Sequence, residues 1–159
     1  MEEIEALVRK HRFKGTTLRY NVASDQPMTK TKNGRTVLVK RIKSDVLREG
    51  PLFDAVLKQH PWVEQLTVNC NLQCTPHIDK NEGESLFAMF GDFEGGGLCV
   101  NTPEGLQVFS DKNTWHCFNG RHEHWTQAFS GDRWSIVAYK KKNHLNNVGT
   151  SEESRAAGA

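Results

Sequence analysis

At 159 residues the chain is long enough to bury a core and short enough to form one domain. A hydrophobic fraction of 36% with 25% charged residues is that of a globular protein, and it excludes collagen-like, coiled-coil and wholly disordered chains. No apolar run approaches the roughly 18 residues of a membrane span, and the first residues are acidic (Glu2, Glu3, Glu5) rather than a basic-then-apolar leader. A soluble, intracellular protein without membrane attachment is expected.

The formal net charge of +2 conceals a segregation: residues 1–60 sum to +6, residues 61–139 to −6 and residues 140–159 to +2. An acidic middle tolerates a bound cation. The basic first third either faces a polyanion such as nucleic acid or is a solvated surface. Cys70, Cys74, Cys99 and Cys117 lack the paired short spacings of a zinc ribbon, so free, mostly buried thiols are expected. If residues 70–74 form a strand, the even spacing places Cys70 and Cys74 on one face as small core residues.

In chain order, Ile4, Leu7, Val8 and His11 recur at helical spacing and predict an amphipathic helix over Glu2 to Arg12. Thr16 to Ala23 and Arg35 to Ile42 read as strands, the second introduced by an Asn33-Gly34 turn. Ser44 is placed to cap a short helix through Leu47, which Gly50-Pro51 breaks and restarts, with Phe53, Val56 and Leu57 as its apolar face up to His60-Pro61. From there short strands are expected at Gln65–Asn71, Ser85–Phe90, Gly97–Val100, Leu106–Phe109, Thr114–Phe118, Trp125–Phe129 and Trp134–Tyr139. Glycine-, asparagine- and aspartate-rich turns separate them, including Gly91–Gly96 and Ser130-Gly131-Asp132. Gly91 to Gly97 is not a phosphate cradle, because no helix pattern follows it. Strands at this spacing predict a mainly β fold, a β-sandwich or jelly roll with N-terminal helices packed on it. Residues 1–142 are read as one domain, with 1–63 as helical and stranded support and 64–142 as the catalytic jelly-roll half. Residues 143–159 are read as a disordered tail.

The stretch with chemical content is Pro76-His77-Ile78-Asp79, followed 47 residues after His77 by His124 and then by Arg133 and Ser135. Residues two apart in a strand share a face, so His77 and Asp79 can offer an imidazole and a carboxylate to one cation. Two histidines and a carboxylate on one side of an ion leave three positions open, the arrangement suited to non-haem Fe(II) that also binds a co-substrate and dioxygen. His116, His122 and His124 all precede Arg133. Trp125 and Trp134 alternate away from His124 and from Arg133 and Ser135, and are read as packing residues.

The HxD…H pattern, with a basic residue about ten positions after the second histidine, resembles the Fe(II)/2-oxoglutarate-dependent dioxygenases. Asn69-x-Asn71, Gly91-Asp92-Phe93-x-Gly95-Gly96, Phe118-x-Gly120, His124-x-Thr126 and Gly131-x-Arg133-x-Ser135 extend the likeness to small domains related to the TET/JBP group, over about 70 of the 159 residues. The resemblance implies a double-stranded β-helix with His77, Asp79 and His124 as Fe(II) ligands, Arg133 and Ser135 on the distal carboxylate of 2-oxoglutarate, and dioxygen as oxidant. Its spacing prefers His124 as the second histidine; His122, of the same strand parity, is the alternative, and His116 is left as a core or supporting histidine. Asn69 is either a co-substrate contact or a strand asparagine bonded to backbone, with Asn71 its neighbour. With the basic first third, the resemblance implies a nucleic-acid base as substrate, for instance a methylpyrimidine. A protein side chain or a small molecule is the other enzymatic reading, and a non-catalytic, cupin-like metal-binding module is the reading of another class.

Overall fold

In a computed structural model of the chain, the structure describes residues 1–14, 29–32, 35–38 and 42–141. The expected strand at Thr16–Ala23, the Asn33-Gly34 turn and the expected tail at 143–159 lie outside the described residues. The described elements are α1 (Glu2–Lys10), β1 (Thr29–Lys32), β2 (Arg35–Leu38), β3 (Lys43–Leu47), α2 (Pro51–Gln59), β4 (Gln65–Cys70), β5 (Glu82–Gly95), β6 (Leu98–Thr102), β7 (Gly105–Phe109), β8 (His116–Phe118), β9 (His124–Thr126) and β10 (Phe129–Lys140).

All pairings among the described strands are antiparallel. The larger sheet runs β3-β4-β10-β5-β8 and the smaller β7-β6-β9, while β1 and β2 form a separate hairpin. The alternation of side chains divides the larger sheet into two faces. One carries Leu66, Val68, Leu86, Ala88, Phe90, Ile136 and Ala138, and it packs against Ile4 and Val8 of α1 and Leu52, Phe53, Ala55 and Val56 of α2. At about 1.5–3 kcal/mol for each large apolar side chain taken out of water, this layer is the main source of stability. Trp134 packs against it with the Arg9 guanidinium 5.1 Å from its ring centroid, as the alternation predicts. The other face looks toward the smaller sheet, where Phe87, Met89, Phe93, Leu98, Val100 and Phe118 form a second cluster. This is the jelly-roll arrangement expected, with both helices on the outer face.

Both helices follow from their sequences. Acidic residues occupy the first turn of α1 and Arg9 and Lys10 the last, complementing the helix dipole, and Arg9 pairs with Glu5 at 3.0 Å. Pro51 occupies the first turn of α2, where its missing N–H costs no hydrogen bond.

Three expectations are corrected. Residues 44–47 are not a helix but part of edge strand β3, paired with β4 from Lys43↔Cys70 to Leu47↔Leu66. Ser44 donates to Asn69 Oδ1 at 2.6 Å instead of capping a helix turn, and the five-residue ladder outweighs weak local helix preference. The glycine-rich stretches at 91–96 and 130–132 are not turns at all. They lie largely inside a long β5–β10 ribbon in which Arg133 pairs with Gly91 and Gly131 with Phe93. Gly91 has φ +126°, and a Cβ there would collide with the Asp132 carbonyl oxygen, so glycine permits close approach of the two backbones rather than a chain reversal. Finally, the strand expected at Trp125–Phe129 divides between β9 and β10, with Gly96 N and Gln127 N bonding across to Ala128 O and Gly97 O.

Candidate metal centre and its cavity

His77 and Asp79 do not lie in a regular strand. His77 forms an isolated antiparallel bridge with His124, through His77 N to His124 O at 3.0 Å and His124 N to His77 O at 2.9 Å. Two residues on, Asp79 N donates to Gly120 O at 2.7 Å. These bonds perform the work assigned to strand alternation, holding the His77 and Asp79 side chains beside His124 on β9. The donor atoms of the three residues all lie within 4.8 Å of one another, with Asp79 Oδ1 3.9 Å from His77 Nε2 and Asp79 Oδ2 3.1 Å from His124 Nε2. One cation about 2.1 Å from each donor would require only small side-chain adjustment.

The imidazoles are preset for such a cation. His77 Nδ1 lies 2.7 Å from Thr75 O and His124 Nδ1 2.8 Å from His122 O. A carbonyl accepts only from N–H, so each ring carries its proton on Nδ1 and turns Nε2 toward Asp79. His122 thus enters the site through its backbone carbonyl. His116, by contrast, has its Nε2 at Asp111 O, 2.9 Å away, and is exposed to solvent on that side. Burial works against a charged His124, but the hydrogen bond to Asp79, helped by the His122 carbonyl, prevails and lifts its pKa above the ordinary imidazole value.

A cavity of about 240 Å³ opens beside this group, between the two sheets. Along β10, Arg133, Ser135, Val137 and Tyr139 line it at every second residue, grading from buried to half-exposed. Arg133 is 2% exposed, boxed by Phe87, Phe93 and Phe129 with ring centroids 5.7–5.8 Å from its Cζ. Its Nε–H donates to Gly96 O at 2.9 Å and an Nη1–H to Leu72 O at 3.4 Å. Gly96, at φ +73°, favours glycine, and a Cβ there would crowd Arg133, standing 3.0 Å from both its Cδ and Nε. No carboxylate among the described residues forms an ion pair with Arg133. Burial pushes its pKa down to about 10, with Cys74 acting in the opposite direction.

One register row away, Ser135 pairs with Asn69 and Asn69 with Ser44. Asn69 is held between them, its Oδ1 accepting from Ser44 Oγ at 2.6 Å and its Nδ2 3.4 Å from Ser135 Oγ, and it lines the cavity with Ser135. Asn71 has the other role foreseen for a strand asparagine. With φ +55° it ends β4, accepts from Arg133 N at 2.9 Å and donates to Asp132 Oδ1 at 3.3 Å, fixing the backbone that carries Arg133.

The cysteines depart from expectation in part. Cys70 and Cys99 are buried, Cys74 is half-buried and lines the cavity, and Cys117 is exposed, donating to Glu84 at 2.7 Å. The chain leaves its strand after Cys70, so even spacing does not put Cys74 into the same core face. Trp125 also lines the cavity, although alternation turns it away from His124; β9 is only three residues long, and Trp125 at its centre is half-buried between the buried His124 and Thr126. Thr67 and Tyr139 were given no role by the sequence, yet both reach the cavity. The signal available was the odd-numbered register they share with Asn69, Arg133 and Ser135.

No family model matches the chain, and no curated protein does. Among solved structures, a 2-oxoglutarate–Fe(II) oxygenase family oxidoreductase from Burkholderia pseudomallei superimposes with a TM-score of 0.57 at 17% identity, covering 87% of this chain and 76% of that one. A prolyl-4-hydroxylase from Pseudomonas putida gives 0.49 at 11% identity, covering 76% of each chain. The mainly antiparallel β architecture, the two sheets enclosing a cavity and the first of these superpositions together establish the fold: a jelly roll similar to that of the Burkholderia oxygenase.

Proposed function

We propose that the protein is an Fe(II)- and 2-oxoglutarate-dependent dioxygenase that hydroxylates a C–H bond. The observation that carries this reading is the joint presence, in one cavity, of a His-Asp-His face and a buried guanidinium with no carboxylate of its own. A buried, unpaired cation costs stability and persists where an anion completes it. The planar fork of arginine suits a carboxylate better than any other side chain. In this reading His77 and His124 through Nε2 and Asp79 through its carboxylate hold the metal, Arg133 and Ser135 hold the distal carboxylate of 2-oxoglutarate, and Asn69 lies against the same molecule. Bound Fe(II) with 2-oxoglutarate supplies dioxygen activation, in which the co-substrate becomes succinate and carbon dioxide and one oxygen atom enters the substrate. The chain's own work is orientation: the Thr75 and His122 carbonyls fix both rings, Asn71 fixes Arg133, and the phenylalanine box keeps water from the guanidinium.

The TET/JBP-like motifs and the +6 charge of residues 1–60 support a nucleic-acid base as substrate. Binding to methylated DNA that weakens steeply with salt would be expected, since neutralised phosphates release counterions. The primary test is anaerobic addition of Fe(II) and 2-oxoglutarate, which should give a weak visible charge-transfer band, followed by succinate formation on admitting oxygen. Folded protein that binds Fe(II) yet gives neither would favour a non-catalytic metal-binding module.

A further inference from the structure

At the opposite end of the cavity from Arg133 lies a polar group with no part in holding metal or co-substrate. Tyr139 and Thr67 both line the cavity, and their hydroxyl oxygens are 3.2 Å apart. Gln65 stands behind them: its Nε2 donates to the Tyr139 hydroxyl at 2.7 Å, while its Oε1 accepts from Arg48 Nε–H at 3.1 Å. Arginine has only donors to offer, so the Gln65 amide is locked with its oxygen toward Arg48 and its N–H₂ toward Tyr139.

The proton count follows. The Tyr139 and Thr67 hydroxyls carry one proton each, and the bond between them consumes one, whichever donates. Gln65 supplies its own proton and takes none. No other acceptor among the described residues bonds to either hydroxyl. One hydroxyl proton is therefore unspent at the cavity wall. Behind it, the Arg48 guanidinium and the Gln65 amide N–H₂ are donors as well.

Co-substrate held by Arg133 does not reach this point. Arg133 and Tyr139 are six residues apart on β10, about 20 Å along a strand, and the Arg133 guanidinium leans the other way, to Gly96 O. An extended five-carbon diacid spans at most about 8 Å, from about 1.5 Å per C–C bond and about 1.2 Å for the oxygen at each end. The residue row between, Val46, Thr67 and Val137, is apolar apart from Thr67, and Val46 is 47% exposed at the mouth.

From this we infer that Tyr139 and Thr67 form a substrate-binding donor site at the mouth of the cavity, taking a substrate with an apolar segment next to a carbonyl or carboxylate oxygen. The inference rests on the proposed dioxygenase reading only for calling that ligand the substrate. The test uses Zn(II)-loaded full-length protein and ligand-observed NMR. 2-Oxoglutarate is titrated first, which reports on the dioxygenase reading separately, and the probes follow whether or not it binds. The probes are hexanamide, hexanoate and hexylammonium. Both oxygen acceptors should bind, distinguishing neutral carbonyl from carboxylate by relative affinity, and the amine about tenfold more weakly, about 1.4 kcal/mol, which lies within the range for a lost hydrogen bond. Tyr139→Phe or Thr67→Val alone leaves one hydroxyl donor and should weaken hexanamide no more than about threefold. The double variant leaves none and should weaken it about tenfold. A merely structural network would not show this pattern. Binding of neither acceptor, equal binding of the amine, a single variant as damaging as the double, or a folded double variant that binds like the parent would each overturn the assignment.

Discussion

Replacing Arg133 by methionine separates what the residue costs the fold from what it contributes to the site. The folded protein holds the Arg133 guanidinium down at about 10, chiefly through desolvation, well below the ordinary guanidinium value; at about 1.4 kcal/mol per pH unit, this depression corresponds to about 3 kcal/mol. Because a cation with a depressed folded-state pKa is penalised at every pH below that value, the cost is constant across the physiological range and is relieved only above about pH 10. Methionine removes the penalty and fills the space among Phe87, Phe93 and Phe129. It leaves the Gly96 and Leu72 carbonyls without their donor, a loss of about 1 kcal/mol each. The net expectation is a ligand-free protein as stable as the parent or about 1 kcal/mol more so, a rise of roughly 2–4 °C in Tm for a chain of this size. Affinity for 2-oxoglutarate should fall at least about 100-fold, since a charge-assisted bidentate contact and the pairing of a buried charge are both lost. Thermal melts with and without 2-oxoglutarate, in metal-loaded protein, read both quantities. A variant destabilised by more than about 3 kcal/mol, or one that still shows the parent's ligand-induced rise in Tm, would refute the reasoning and make Arg133 a structural residue.

Alanine at His77, Asp79 or His124 should each weaken Mn(II) binding by about 100-fold or more in calorimetric titration, whereas His122→Ala should stay within about threefold because only its backbone carbonyl is used. The metal-free protein should gain stability as pH falls, in full below about 6.5 where an unfolded histidine is protonated, and lose it as pH rises through the raised pKa of His124. Metal affinity should move oppositely, weakening at low pH as protons compete; Asp79→Asn should flatten the stability profile, and an unchanged profile would count against the His124–Asp79 pair. Gly91→Ala should cost about 3 kcal/mol or more in urea unfolding, since it meets the Asp132 carbonyl, while Gly105→Ala, with φ +122° but open space around it, should cost only about 1–2 kcal/mol.

Much of this molecule was legible in its sequence because the relevant signals are local. Ile4 and Val8 at helical spacing, Pro51 in the first turn of α2, and the odd-numbered run from Arg133 to Tyr139 each report a periodicity that the backbone obeys regardless of what lies beyond it. The segregated charge and the short-strand text from Gln65 onward likewise pointed to a jelly roll around an acidic centre. The misreadings share one cause. Ser44 suits a helix cap and Gly91 and Gly131 suit turns by local preference, whereas the pairing partners that decide otherwise, Asn69, Arg133 and Phe93, are far away in the chain. His77 and Asp79 could be matched as a pair from their spacing, but the bridge to His124 that brings the triad together is a contact across 47 residues. That contact, the absence of a carboxylate partner beside Arg133 among the described residues, and the unspent hydroxyl proton of Tyr139 and Thr67 are facts of tertiary packing. A sequence states which groups are available; whether a buried donor or charge is satisfied depends on every neighbour the fold brings within about 3 Å, and that is settled only when both sheets close.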